Sequence, residues 1–380
     1  MRVALIAHGL RAGGGISVGK NIISTLSRIA PKNKYFISVP GGLDYQAELR
    51  DVPTCESSIF PHGGQLFHRY IYEAHTLPKE INNFQPDVVL CLGNIAIRNI
   101  LYPQVLLLHN PYYVYSTKHY GRASLKLRFL VGLQRKLFSK DLSSIKSLLC
   151  QTATMAKRVR SEYGYDGEIF TIPNAVSKDT LTGSEECLYE FPQALRKVRN
   201  KRILFCLTAF YSHKNLEVIT DLFLRKKDVL RDYAVVLTFN SSQSASAQRF
   251  DKKIKDLGLG DVIVNVGSIP QKDLAAYFYY CHALFLPTLM ESFSSTYLEA
   301  MSFGRPILTS DLDFAREVCG NSAAYFNPWD VTSIADAIID LDAQSEKLVK
   351  LGNLRAHEFS KKWDDVGEEI IGVLEKFARK

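Results

Sequence analysis

Short apolar runs along the chain alternate with longer stretches whose apolar residues recur every three or four positions. Val3–Ala7, Tyr35–Val39, Val88–Leu92, Val105–Leu108 and Leu148–Gln151 read as strands, with helical patterns such as Ile16–Ala30 and Leu125–Lys140 between them. After Ile172-Pro173-Asn174 the alternation restarts. Ile203–Leu207, Ala234–Phe239, Val262–Val266, Ala283–Leu286 and Pro306–Thr309 are the strands of this second half. Continuous apolar runs of this kind suit strands buried on both faces, and parallel neighbours need a crossover, usually a helix. The pattern therefore predicts an α/β chain of two doubly wound, parallel-sheet domains, with ligands in a cleft at the carboxyl ends of the strands. Pro173-Asn174 and the polar stretch Ser177–Glu190 mark the boundary, dividing the chain into 1–175, 176–360 and a terminal helix in 361–380. In that helix Trp363, Val366, Ile370, Ile371, Val373, Leu374 and Phe377 fall mostly at helical spacing, so one face packs.

Composition narrows the class. Of 380 residues, 46% are hydrophobic and 23% charged, which is ordinary globular usage. No run of about 18 apolar residues could span a membrane. Val3–Ala7 is too short for the apolar core of a secretory signal. Seven cysteines (55, 91, 150, 187, 206, 281, 319) lie far apart without zinc or redox spacing. Cys91, Cys150 and Cys206 sit within strand runs as small hydrophobes, and a reducing cytosol is the simplest compartment. The net charge of +8 is unevenly placed. Residues 118–160 hold eleven Lys and Arg against Asp141 alone, a local +10, and the remainder is close to neutral at −2.

Two segments carry candidate chemistry. Gly13-Gly14-Gly15 follows the first strand and opens a helix, where glycines allow close approach of an anion to free N–H groups. Its spacing is not that of a dinucleotide fingerprint, and no acid follows at the distance needed to hold a ribose. Glu291-Ser292-Phe293-Ser294-Ser295-Thr296-Tyr297-Leu298-Glu299 is more specific. It follows strand Ala283–Leu286 and runs into a helix, with Ser294, Ser295 and Thr296 as capping hydroxyls beside free N–H groups. A diphosphate suits such a helix start, Glu299 suits a ribose diol, and Glu291 on the loop suits a sugar. On spacing alone the same residues also read as a capped helix with two solvated acids.

Wider context brings a family into view. Pro287-Thr288-Leu289-Met290-Glu291-Ser292-Phe293, Glu299-Ala300-Met301, Gly304-Arg305-Pro306-Ile307 and Asn327-Pro328 resemble the donor site of retaining GT-B glycosyltransferases of family 4, with their Glu-x7-Glu element. Gly14-Gly15 resembles the N-terminal glycine loop, and Ile172-Pro173-Asn174-Ala175-Val176 the element between domains. His213-Lys214-Asn215-Leu216 resembles the phosphate-binding element. The resemblance implies a GT-B fold: two Rossmann-like domains facing across a cleft, acceptor-binding in 1–175 and donor-binding in 176–360, with the last helix returning to the first domain. It implies that Lys214 places a point charge on the donor diphosphate and that Glu299 holds the ribose. Glu291 and His109 meet the transferred sugar. Gly14, Gly15, Ser294, Ser295 and Thr296 line the donor, and the backbone of Ser268-Ile269 meets the base. The family usually carries an arginine five or six residues before the lysine, where this chain has Ala209 and Thr208.

Without a metal, Lys214 and preorganised N–H groups would stabilise charge on the departing phosphate. No metal or other cofactor is expected, and Asp311-Leu312-Asp313 reads as a solvated loop. The substrates implied are a nucleotide sugar, GDP- or UDP-linked with GDP-mannose first, and a glycan or lipid-linked acceptor of surface polysaccharide synthesis. Gly121–Lys140 reads as an amphipathic helix whose Leu127, Leu130, Val131, Leu137 and Phe138 pack inward. Its basic face is either solvated or a docking surface for an anionic membrane, giving a cytoplasmic protein peripheral on the inner face of the cell membrane. No nucleic-acid motif accompanies the basic residues. A nucleotide-sugar epimerase of the same architecture and a degenerate, non-catalytic partner subunit are the alternatives.

Overall fold

The computed structural model describes residues 1–11, 13–43, 45–50, 52, 55–60, 66–175 and 189–379. Val176, most of the boundary stretch Ser177–Glu190 and Cys187 lie outside the described residues. The chain forms two compact units. The first comprises 1–114, 129–175 and 361–380; the second comprises 115–128 and the described residues of 176–360.

The first unit contains β1 (Arg2–Ile6), β2 (Lys34–Pro40), β3 (Cys55–Phe60), β4 (Val88–Cys91), β5 (Gln104–Leu108), β6 (Ser147–Cys150) and β7 (Glu168–Thr171). They form one sheet in the order β3-β2-β1-β4-β5-β6-β7, every pair parallel. Its central strands β4 and β5 are buried along their whole length, as the apolar runs Val88–Cys91 and Val105–Leu108 require. The edge strands β3 and β7 are polar and partly exposed, so neither carries the apolar signature that betrays the inner strands.

The second unit contains β8 (Arg202–Cys206), β9 (Tyr233–Leu237), β10 (Ile263–Asn265), β11 (Ala283–Leu286), β12 (Ile307–Ser310) and β13 (Ala324–Phe326). The order is β10-β9-β8-β11-β12-β13, again all parallel. In each sheet the order reverses beside the first strand, between β1 and β4 and between β8 and β11. The loops leaving those strands diverge there, which is where doubly wound sheets bind ligands.

The helix Trp363–Phe377 belongs to the first unit. Val366, Ile370, Val373 and Leu374 join one core with Val18, Ile22, Ile23 and Leu26 of the helix Gly14–Ile29. Gly367 permits that approach: a Cβ there would lie 2.6 Å from Thr25 Cγ2.

Two expectations need correction. Residues 115–128, assigned by sequence to the first domain, pack within the second unit. The basic helix spans Leu125–Asp141 and buries Val131 and Phe138, but Leu137 is exposed, as are Leu125, Phe129 and Leu133. The six described cysteines are free, and five are buried; burial pushes the thiols of Cys91, Cys150 and Cys206 up to about 12, the range of inert core residues.

Candidate active site

In the second unit the switch point brings Lys214 and Glu291 together. Lys214 ends a short 3-10 turn, Ser212–Lys214, on the loop after β8, and Glu291 lies on the loop after β11. The loops are joined where His213 O accepts from Leu289 N at 2.8 Å and from Thr288 Oγ1 at 3.3 Å. Across this join Lys214 Nζ donates to Glu291 Oε1, which Thr288 Oγ1 also reaches at 3.3 Å. Both ionic side chains are largely withdrawn from solvent, 18% and 12% exposed. The lysine assigned to phosphate and the carboxylate assigned to sugar therefore form one ion pair.

Asn215 closes the 3-10 turn in the left-handed region (φ 56°), which asparagine tolerates, and its Nδ2 donates to Pro328 O at 2.9 Å. That bond ties His213-Lys214-Asn215-Leu216 to Asn327-Pro328, two segments widely separated in sequence. Residues 115–128 brace the same turn. Gly121 (φ 61°) lies so close to it that a Cβ would fall 2.0 Å from Ser212 O. Arg122 pairs with Asp221 at 2.7 Å, and the ring of His119 meets Trp329 edge-on. Lys118 and Arg122 line a pocket of about 440 Å³ with Asn215 and Trp329. The start of the basic segment thus adjoins the lysine element, a juxtaposition that linear distance concealed.

The helix Ser295–Ser302 follows Glu291. Ser294 occupies the N-cap position in extended conformation, but its side chain makes no capping bond, contrary to the expectation from sequence. Ser295 Oγ instead reaches Glu299 Oε1 at 3.5 Å, and Thr296 stands in the first turn. Burial pushes the Glu299 carboxyl up to about 7, so near neutrality it is poised between its acid and carboxylate forms. Ile269 is half-buried on the loop after β10, where Gly267 N is held by Asn265 Oδ1 at 3.2 Å. Thr208 and Ala209 offer no charge in place of the missing arginine; Thr208 N bonds Thr238 Oγ1 at 2.9 Å. Asp311 and Asp313 are both exposed, as the solvated-loop expectation requires, and each has a protein partner. Asp311 takes a two-point bond from Arg316, and Asp313 accepts from Tyr115 Oη at 3.0 Å.

In the first unit, Gly14 is open and exposed, whereas a Cβ on Gly15 would lie 3.3 Å from His109 Cε1. His109 follows β5, and its N–H donates to Asn94 Oδ1 at 2.8 Å; the same oxygen takes Asn110 N at 2.9 Å. Asn94 sits after β4 in the left-handed region (φ 63°) and acts as the bracket of this turn. Burial lowers the imidazole of His109 to about 4, so it is neutral at pH 7, able to donate or accept one hydrogen bond but carrying no charge. The roles of Asn94, Thr288 and Gly121 escaped the sequence reading because each works through a partner remote in sequence. Among the described residues no three His, Cys, Asp or Glu side chains cluster as a metal site.

Known proteins resemble this chain in sequence and in fold. Residues 189–355 match the model of "Glycosyl transferases group 1", and residues 36–180 match that of "Glycosyltransferase Family 4". The chain belongs to the family 4-like GT-B glycosyltransferases. Over 221 residues it is 24% identical to the O-antigen chain mannosyltransferase RfbU of Salmonella typhimurium, covering 58% of this chain and 57% of that one. Over 241 residues it is 28% identical to an MMP alpha-(1->4)-mannosyltransferase of Mycolicibacterium hassiacum, covering 58% and 56%. The matches thus span a little over half the length of these curated relatives. In fold, this GT-B chain is similar to sucrose-phosphate synthase from Thermosynechococcus elongatus (TM-score 0.72, 16% identity, 99% and 98% coverage). It is likewise similar to Anabaena HepE solved with UDP-glucose (TM-score 0.70, 13% identity, 99% and 100% coverage).

Proposed function

We propose that this chain transfers a hexose, mannose in the first instance, from a nucleoside diphosphate sugar to a glycan or lipid-linked acceptor in surface polysaccharide synthesis. The observation that carries the reading is the Lys214–Glu291 pair at the second switch point, beside the helix start at Ser295 and the Glu299 carboxyl. A diphosphate drawn to Lys214 takes that lysine from Glu291, which is then available to the sugar. As the bond from sugar C1 to the phosphate oxygen breaks, negative charge grows on the leaving diphosphate, where Lys214 and the helix N–H groups stabilise it. The acceptor oxygen bonds C1 from the same face, and its proton passes to the leaving phosphate, which retains configuration. The charge stabilisation comes from protein groups, so chelation with EDTA should leave the rate unchanged. The mannosyltransferase names of the sequence relatives support mannose, and GDP-mannose is the first donor to try.

Two variants test the assignment. Glu291→Ala should abolish transfer while keeping GDP affinity equal or tighter, because Lys214 loses its competitor. Lys214→Ala should weaken GDP at least tenfold and leave Glu291 as an uncompensated, mostly buried charge, costing about 3–5 kcal/mol of stability. Transfer that survives Glu291→Ala would sink the reading, and a rearranged nucleotide sugar formed without acceptor would identify an epimerase.

The acceptor side is proposed to work at an anionic membrane surface through 118–160. Leu125, Phe129, Leu133 and Leu137 recur every fourth residue along one helix and are 85%, 73%, 47% and 37% exposed. Lys126, Lys136 and Lys140 are exposed alongside them. Arg135 is excluded from this set because it pairs with Glu162. An apolar stripe flanked by lysines suits the interfacial plane of a bilayer, and three lysines near an anionic leaflet would contribute roughly 3 kcal/mol. Phe129→Ser with Lys136→Gln should release the protein from phosphatidylglycerol vesicles while leaving GDP affinity intact. Undiminished vesicle binding would refute the assignment.

A further inference from the structure

A second charged cluster lies in the first unit, just past the carboxyl end of β1, and takes no part in the donor chemistry. His8, 1% exposed, places Nε2 2.8 Å from Glu73 Oε1. Arg69 donates Nε to the same oxygen at 2.6 Å. The guanidinium of Arg11 stands 4.5 Å above the ring of Phe60, and its Nε reaches His8 O at 3.5 Å. The ring of Tyr72 packs edge-on against His8 at 5.3 Å. Nδ1 of His8 is buried without a hydrogen-bond partner, a state that costs free energy and calls for an explanation. Glu73 lies in a single π-helical turn, Tyr72–Thr76, a form of helix that recurs at functional sites.

The charges do not cancel. Burial holds the His8 imidazole below its ordinary value, against the pull of Glu73, so it is neutral. One carboxylate then stands against two guanidiniums: Arg69 pairs with Glu73, and Arg11 is held down by burial and by Arg69. Nη2 of Arg69 stands beside Gly9, where a Cβ would come within 3.3 Å of it; the glycine leaves the arginine room. A surplus positive charge carried on planar forks is matched by an oxyanion. The position, beside the reversal point of the first sheet and ahead of Gly13–Gly15, is where such a sheet takes ligands.

We propose that Arg11 and Arg69, with Glu73 and His8 as the frame that holds them, bind a phosphate group carried by the acceptor. The word acceptor rests on the transfer reading above; the phosphate site does not. The phosphate could belong to a lipid-linked diphosphate or to a soluble sugar phosphate.

The test is calorimetry on the full chain in a Lys214→Ala background, which removes the donor-side phosphate contact. Inorganic pyrophosphate should still bind, and Arg11→Gln and Arg69→Gln should each weaken it at least tenfold. In the otherwise unaltered chain the same two substitutions should leave GDP affinity unchanged. Arg11→Gln removes only peripheral contacts, so it serves if Arg69→Gln fails to fold. Farnesyl diphosphate binding tighter than mannose 1-phosphate marks a lipid-linked ligand, and the reverse marks a soluble one. No pyrophosphate binding in the Lys214→Ala chain, or binding insensitive to both arginines, overturns the proposal. Because no donor is present, that failure is separate from any failure of transfer.

Discussion

Glu299 shows how one residue can trade stability for ligand readiness. Its carboxyl is raised from 4.5 to about 7 because burial disfavours the charged form. A folded state that holds its proton more tightly than the unfolded chain loses stability as pH rises through the interval between the two values. The penalty is therefore absent below about pH 4.5 and complete above about pH 7. Glu299→Gln, which cannot ionise, should gain stability over the parent across that window, reaching about 1–3 kcal/mol at about pH 8. Urea unfolding at about pH 5 and about pH 8 checks the sign. The same variant should lose nucleotide affinity at least tenfold if the carboxylate accepts the ribose hydroxyls, because a neutral amide offers one acceptor atom in place of two. A variant that is more stable and still binds fully would show that Glu299 is merely a buried acid.

At the scale of elements, the lysine turn depends on a segment ninety or so positions earlier in the chain. Gly121 adopts a left-handed φ and leaves no room for a Cβ against Ser212 O. Gly121→Ala must therefore displace the turn or the segment. Nucleotide affinity should fall about tenfold, with a smaller loss of stability than for a core truncation, measurable by GDP titration beside thermal unfolding. The same contact explains what the sequence could and could not disclose. The inner strands were legible because burial on both faces demands unbroken apolar runs, as in Val88–Cys91. The edge strands Cys55–Phe60 and Glu168–Thr171 were not, since half of each faces solvent. Lys214, Glu291 and Glu299 stood out by type and spacing. Their pairing did not, because it follows from strand order, and strand order is a property of the sheet. Leu137 was misassigned to the buried face because helical spacing says which residues share a side, not which side meets the core.

For the whole molecule, six of the eleven basic residues in 118–160 fall into three separate roles. Lys118 and Arg122 brace the second unit beside Asn215, Arg135 is neutralised by Glu162, and Lys126, Lys136 and Lys140 flank the exposed apolar stripe. Connectivity is divided in a similar way, since the last helix closes the core of the unit that begins the chain. Ile370, 2% exposed, packs in that core with Val18, Ile22 and Leu26. Ile370→Ala should cost about 2–5 kcal/mol from lost burial and the cavity left behind. The loss should fall on the first unit although residue 370 follows the second in sequence. Hydrogen exchange would show faster amide exchange along β1, β4 and the helix Gly14–Ile29, with β8 and β11 unchanged. GDP affinity should stay at the parental value, because Lys214, Glu291 and Glu299 all belong to the other unit. Equal loosening of both sheets would mean that the units unfold together, and the donor site would then borrow its stability from the C-terminal helix.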